Sequence, residues 1–143
     1  MYRLVFSLLI LLLMATSTDA QSLTKHTWKD RVLLVFSPSQ QTAAYREQME
    51  QFQSDPAGMR ERDLEVYQIF PEGLITSGAD ILDHNDLAAQ YRAQYGIAPD
   101  EFRVLLLGKD GGEKLRESTV LRLDRLYGTI DAMPMRRREM RGQ

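Results

Sequence analysis

Serine is the nucleophile best placed in this chain. Ser37 and Ser39 stand in Ser37-Pro38-Ser39-Gln40-Gln41, directly after the apolar run Arg31 to Phe36. A serine acts in acyl transfer only with a general base in hydrogen-bond reach, and the histidines on offer are His26 and His84. The plainer role is local: Ser39 and Gln40 cap a following helix, whose first N–H groups can receive an anion or a carbonyl. On that reading Ser37, Ser39 and Gln40 bind rather than react. Cysteine is absent from all 143 residues. Disulfides, thiolate nucleophiles, thiolate metal sites and the lipidated cysteine of a lipoprotein are excluded with it.

Two groups have the composition of metal ligands. Asp80, Asp83, His84, Asn85 and Asp86 form an oxygen-rich cluster without the alternating Asp spacing of a calcium loop, so a helix cap with solvated acids is favoured. Nothing in the sequence brings His26 to His84. Met133, Met135 and Met140 offer soft sulfur for Cu(I), but Met133 falls on the apolar face of the final helix, and methionines fill irregular core gaps. No metal and no cofactor is expected. Arg136, Arg137 and Arg138, with Arg141, give the last eight residues a net charge of +3. Either they complement the negative end of a helix, or they dock an acidic partner or anionic head groups.

The front of the chain sets the compartment. Arg3 precedes Leu4 to Met14, apolar except for Ser7, and Thr18-Asp19-Ala20 supplies small residues before a cut between Ala20 and Gln21. That is the layout of a secretory signal, whose apolar region runs about 7–15 residues. It is shorter than the roughly 20 apolar residues of a bilayer-spanning helix. The rival reading is a retained N-terminal anchor; both place the rest outside the cytoplasm, periplasmic or secreted. Removing residues 1–20 takes one cation and one anion and leaves the net charge at −2, which argues against a nucleic-acid surface. No transmembrane segment is expected in the mature chain.

Residues 21–30 read as a polar approach segment. Arg31 to Ser37 is apolar on both faces and predicts a central buried strand. Tyr45, Met49 and Phe52 predict a helix over 42–52, with its Gln and Glu residues on the solvent side. Asp63 to Phe70 alternates as a second strand, and 71–84 reads as a connection. Asn85-Asp86 caps a helix over 87–95 that Gly96 closes. Phe102 to Leu107 and Glu113 to Glu117 pair as a hairpin through Asp110-Gly111. Ser118 or Thr119 caps a last helix carrying Val120, Leu123, Leu126, Tyr127, Ile130 and Met133, and 136–143 is a basic tail.

The resulting β-α-β-α-β-β-α order predicts an α/β domain over 31–135, a four-stranded mixed sheet flanked by helices, which is the thioredoxin-like arrangement. A ferredoxin-like order would need a strand after the last helix, and none is visible. In a thioredoxin-like domain the reactive thiols sit between the first strand and the first helix; here that loop is Ser37 to Gln41. Pro99 stands near the position where such domains place a cis proline, although most X-Pro bonds are trans.

The blocks Trp28 to Ser39, Glu61-Arg62-Asp63-Leu64, Leu107 to Lys114 and Ile130 to Arg136 resemble the DUDES family. This is a domain-of-unknown-function family of small exported bacterial proteins, related to a module of sushi-repeat extracellular-matrix proteins. The resemblance covers about residues 26–141. It implies a thioredoxin-like fold and an extracytoplasmic setting, and fold does not by itself assign chemistry. The favoured expectation is a non-catalytic binding or interaction module without thiol redox activity, whose partner is a protein or another envelope or matrix component. The alternatives are a cysteine-independent oxidoreductase-like or other enzyme using the cleft near Ser37, Ser39 and Pro99, and a metal or small-ligand carrier.

Overall fold

A strand with no polar face has to be covered on both sides. A computed structural model describes residues 21–77, 80–83 and 85–142, and it sets the apolar run at the centre of a sheet as β1, Arg31–Phe36, buried along its whole length. A short helix α1, Gln21–Thr24, precedes it; α2 (Ala43–Ser54), α3 (Pro56–Glu61) and β2 (Leu64–Ile69) follow. Then come β3 (Leu74–Ser77), β4 (Asp80–Asp83), α4 (Asn85–Tyr95), β5 (Arg103–Leu107), β6 (Glu113–Glu117), α5 (Leu123–Asp131) and α6 (Pro134–Arg141). The leader, the cleavage site at Ala20 and His84 lie outside the described residues.

β1 pairs parallel with β2, from Arg31 opposite Leu64 to Phe36 opposite Ile69, and antiparallel with β5; β5 pairs antiparallel with β6. The order β2-β1-β5-β6, with helices on both faces, is the thioredoxin-like core. On one face Val32, Leu34 and Phe36 pack with Tyr67, Ile69 and Leu105 against Leu87, Ala88 and Tyr91 of α4. On the other, Leu33, Val35, Val104 and Leu106 meet Phe52 of α2, Met59 of α3, and Leu126 and Ile130 of α5. The two-residue period of β1 thus separates two cores.

Three stretches differ from expectation. Residues read as the 71–84 connection contain the antiparallel pair β3–β4, which extends the sheet beyond β2 to the six-strand order β4-β3-β2-β1-β5-β6. The helix expected over 42–52 runs to Ser54, and a new one starts at once. Asp55, extended because it precedes a proline, breaks the first helix, while Pro56 begins the second and the Asp55 carboxylate accepts from Gly58 N–H at 3.0 Å. The last helix is shorter at its front and continues past its expected end. Arg122, not Ser118 or Thr119, occupies the N-cap of α5; Met133, extended before Pro134, separates α5 from α6, so the basic tail is a helix. Gly96, at φ 68°, closes α4 as expected, with Ile97 N–H donating to Arg92 O at 2.9 Å.

The segment 118–122 is held by a residue expected on the solvent side. Gln48 is fully buried: its Nε2 donates to Leu121 O at 3.0 Å and its Oε1 accepts from Leu121 N–H at 2.6 Å. Gln48→Ala leaves both backbone groups buried and unpaired, and should reduce stability in urea by about 2–3 kcal/mol. Gln53→Ala, on the exposed side of the same helix, should stay within about 0.5 kcal/mol of the parent.

Candidate functional site

The loop where this fold carries its chemistry begins as β1 ends. Ser37 N–H donates to Ile69 O at 3.1 Å, so the loop leaves the sheet still bonded to β2. Ser37 is fully buried and its Oγ donates to Ser39 O at 2.8 Å. Ser39 Oγ accepts from Gln41 N–H at 3.3 Å and shares a hydrogen bond with Thr42 Oγ1 at the same distance. Both hydroxyls are used to shape the turn. Thr42, not Ser39 or Gln40, is the N-cap of α2, and it makes no side-chain cap bond.

What holds the loop from beneath is a buried arginine of α4. Arg92 Nη1 donates to Ala98 O at 2.7 Å, and Nη2 to Ser37 O at 3.1 Å and Ile69 O at 3.4 Å. One guanidinium, 5.6 Å from the Phe36 ring centroid, therefore ties the Ser37 turn to the segment that carries Pro99. Burial draws its pKa below the usual guanidinium value, against the pull of Glu101 and Glu72. Pro99 is exposed and its peptide bond is trans.

Above this anchor lies a groove of about 320 Å³ lined by Ser39, Gln40, Gln41, Phe70 and Glu72. Pro99 does not line it, and Ser37 lies beneath. The lining offers amides, a hydroxyl and one carboxylate over an aromatic floor, a surface suited to hydrogen bonding. Among the described residues it contains no general base hydrogen-bonded to a serine. His26 is engaged elsewhere: its Nδ1 is 2.7 Å from Asp30 Oδ2 and its Nε2 is 2.8 Å from Tyr67 OH. Sequence reasoning passed over this triad, in which His26 and Tyr67 are buried and Asp30 half-buried, although the four-residue step from His26 to Asp30 was a usable signal.

Of the oxygen-rich cluster, Asp80 and Asp83 fall in β4 and Asn85 and Asp86 in the first turn of α4. No group of three His, Cys, Asp or Glu side chains is assembled for a metal among the described residues. Met133 packs against the second core, and Met140 is exposed.

The three adjacent arginines Arg136, Arg137 and Arg138 have different fates. Arg136 is 1 % exposed; its Nε donates to Asp131 at 3.3 Å and its Nη1 to Glu61 O at 3.0 Å. It anchors α6 and presents nothing to a partner, whereas Arg137 and Arg138 are exposed. Around the anchor, Arg62 donates twice to Asp131, and Glu139 accepts from Arg31 and pairs with Lys109 at 2.8 Å. Hydrogen bonds from Arg62 hold the Asp131 carboxyl below its usual value. Burial pushes Glu139 upward, but Lys109 and Arg31 outweigh it and the net displacement is downward. Carboxylates depressed in the fold stabilise it fully above their ordinary values, 3.8 and 4.5, and lose that contribution as pH falls through the folded values. Urea midpoints should therefore be level near neutrality and fall in acid, and Asp131→Asn should lower the neutral plateau and flatten the acid limb.

A family model described as a domain of unknown function, DUF4174, matches residues 22–139. The chain is 25% identical over 133 residues to Coiled-coil domain-containing protein 80 of Danio rerio, covering 82% of this chain and 15% of that protein. It is 30% identical over 126 residues to Sushi repeat-containing protein SRPX of Homo sapiens, covering 86% and 27% respectively. It thus spans about a quarter or less of these relatives' lengths. The crystal structure of reduced 2-Cys peroxiredoxin from Plasmodium vivax matches with a TM-score of 0.56 at 16% identity, covering 82% of this chain and 84% of that one. That likeness shows the shared thioredoxin-like fold and nothing of the chemistry.

Proposed function

Starting from a chain that belongs to the DUF4174 family, we propose a non-catalytic binding module on a thioredoxin-like scaffold, working outside the cytoplasm. One observation carries this reading. In the loop that positions reactive thiols in this fold, both serine hydroxyls are committed to the turn while buried Arg92 fixes the loop's carbonyl from below. Such a loop is held in place without being activated. Ser39, Gln40 and Glu72 form the contact surface, with Pro99 on the neighbouring segment, and the partner is a protein or another component of the envelope or matrix. Export rests on the Arg3 to Ala20 leader pattern; among the described residues no helix is long and apolar enough to cross a membrane. Arg137 and Arg138 supply a second surface, suited to an acidic partner.

A photoreactive side chain at Gln40, in the chain produced in its own compartment, tests the assignment. Discrete adducts that disappear with Ser39→Arg are expected. No adduct, or the same adducts from a probe at Gln53, would contradict the proposal.

A further inference from the structure

Remote from Ser39 and Gln40 lies a second cleft, of about 310 Å³, between α4, the approach segment and the β5–β6 turn. This volume is at the small end of small-molecule sites. Its polar wall is made by Thr27, Asp30, Gln90 and Gln94, its aromatic wall by Tyr91 and Tyr95. Gln90 and Gln94 are exposed, one turn apart on α4. Among the described residues no lysine or arginine lines the cleft, and Asp30 is its one carboxylate.

Asp30 is set in place with unusual care. Its Oδ2 meets His26 Nδ1 at 2.7 Å, and His26 is itself fixed by Tyr67 OH. Lys29 and Asp30 both donate their N–H to His26 O at 2.9 Å, closing a tight turn. Within that turn Trp28 adopts φ 67°, an outlying conformation for a bulky residue, and its N–H donates to Lys109 O at 2.6 Å, next to Gly108 of the cleft wall. The indole is 66% exposed. Backbone strain of this kind concentrates where a binding surface has to be presented.

We infer that this cleft is a saccharide site, taking an uncharged, hydroxyl-rich ring. A threonine hydroxyl and two glutamine amides both donate and accept, which matches sugar hydroxyls; an ammonium ion, which only donates, would leave the amide N–H groups unmatched. The lone carboxylate and the absence of cations disfavour anionic ligands. Tyr91 is buried in the core, so the aromatic contact for the C–H side of a sugar ring falls to half-buried Tyr95, which packs beside Phe36.

The test is ¹⁵N-detected titration of the purified chain with glucose, N-acetylglucosamine, glucuronate and choline. At least one neutral sugar should give saturable shifts at Thr27, Asp30, Gln90 and Gln94. Glucuronate should bind several-fold more weakly, and the double variant Gln90→Ala/Gln94→Ala should weaken sugar binding about tenfold or more while retaining the parent spectrum elsewhere. Gln40→Ala should leave sugar binding unchanged, which keeps this site separate from the loop surface above. Absence of saturable shifts at tens of millimolar neutral sugar, preference for choline or glucuronate, or undiminished binding by the double variant would overturn the assignment.

Discussion

Arg92→Ala should lower the unfolding free energy by about 3 kcal/mol, in the range for deleting a buried, hydrogen-bonded charged group. The physical loss is specific. Ile69 O keeps the Ser37 N–H and Ala98 O keeps the Glu101 N–H, but among the described residues no other donor reaches Ser37 O once the guanidinium is gone. The stem's packing beside Phe36 goes as well. Lysine should restore little, because a point-charge ammonium cannot reproduce a fork reaching three carbonyls. Hydrogen exchange should localise the damage, with accelerated exchange at Ser37 to Gln41 and at 97–101 while β1 and β5 remain protected. A uniform loss of protection, or none, would show that Arg92 does not serve as the loop's anchor.

The second large effect is expected at Arg136. Arg136→Ala should cost about 3 kcal/mol and lower Tm by about 10 °C for a domain of this size. Removing the buried cation leaves Glu61 O without that donor and takes one cation from Asp131 and Glu61, and it frees α6 from the Glu61–Arg62 segment. Arg137→Ala and Arg138→Ala, a residue or two away, should each change stability by less than about 0.5 kcal/mol. Three adjacent arginines that look alike in the sequence would then separate cleanly in a melting experiment. Equal effects would refute the inward placement of Arg136 alone.

That contrast shows where sequence reading reaches its limit. Strand β1 was legible because every position from Val32 to Phe36 is apolar, and the β5–β6 turn because Asp110-Gly111 supplies the positive φ, 80° at Gly111, that the hairpin needs. Pairs as short as β3 and β4, in a Gly- and Asp-containing stretch, carry too few apolar positions to stand out from a loop. The stretch after Met133 reads as a basic tail, because its run of arginines carries no apolar stripe to announce another helix after Pro134. The buried polar residues were the main omission. Gln48, Arg92 and Arg136 meet backbone carbonyls 73, 55 and 75 residues away. Periodicity assigns a polar side chain to solvent, and only the tertiary structure reveals the carbonyl that justifies burying it. The loop from Ser37 to Gln41 could be placed between the first strand and the first helix from sequence order alone, while the groove beside it depends on Phe70 and Glu72, just past the end of β2.

The claim on which the account turns is that the Ser37 to Gln41 loop holds a binding surface and performs no chemistry. Turnover of hydrogen peroxide and of a small disulfide by the purified chain, with a thiol reductant supplied, measures this directly. The expected result is a rate equal to buffer with reductant alone, unchanged by Ser39→Ala. Multiple turnovers above that background, abolished by Ser39→Ala in a protein that still melts cooperatively, would contradict it.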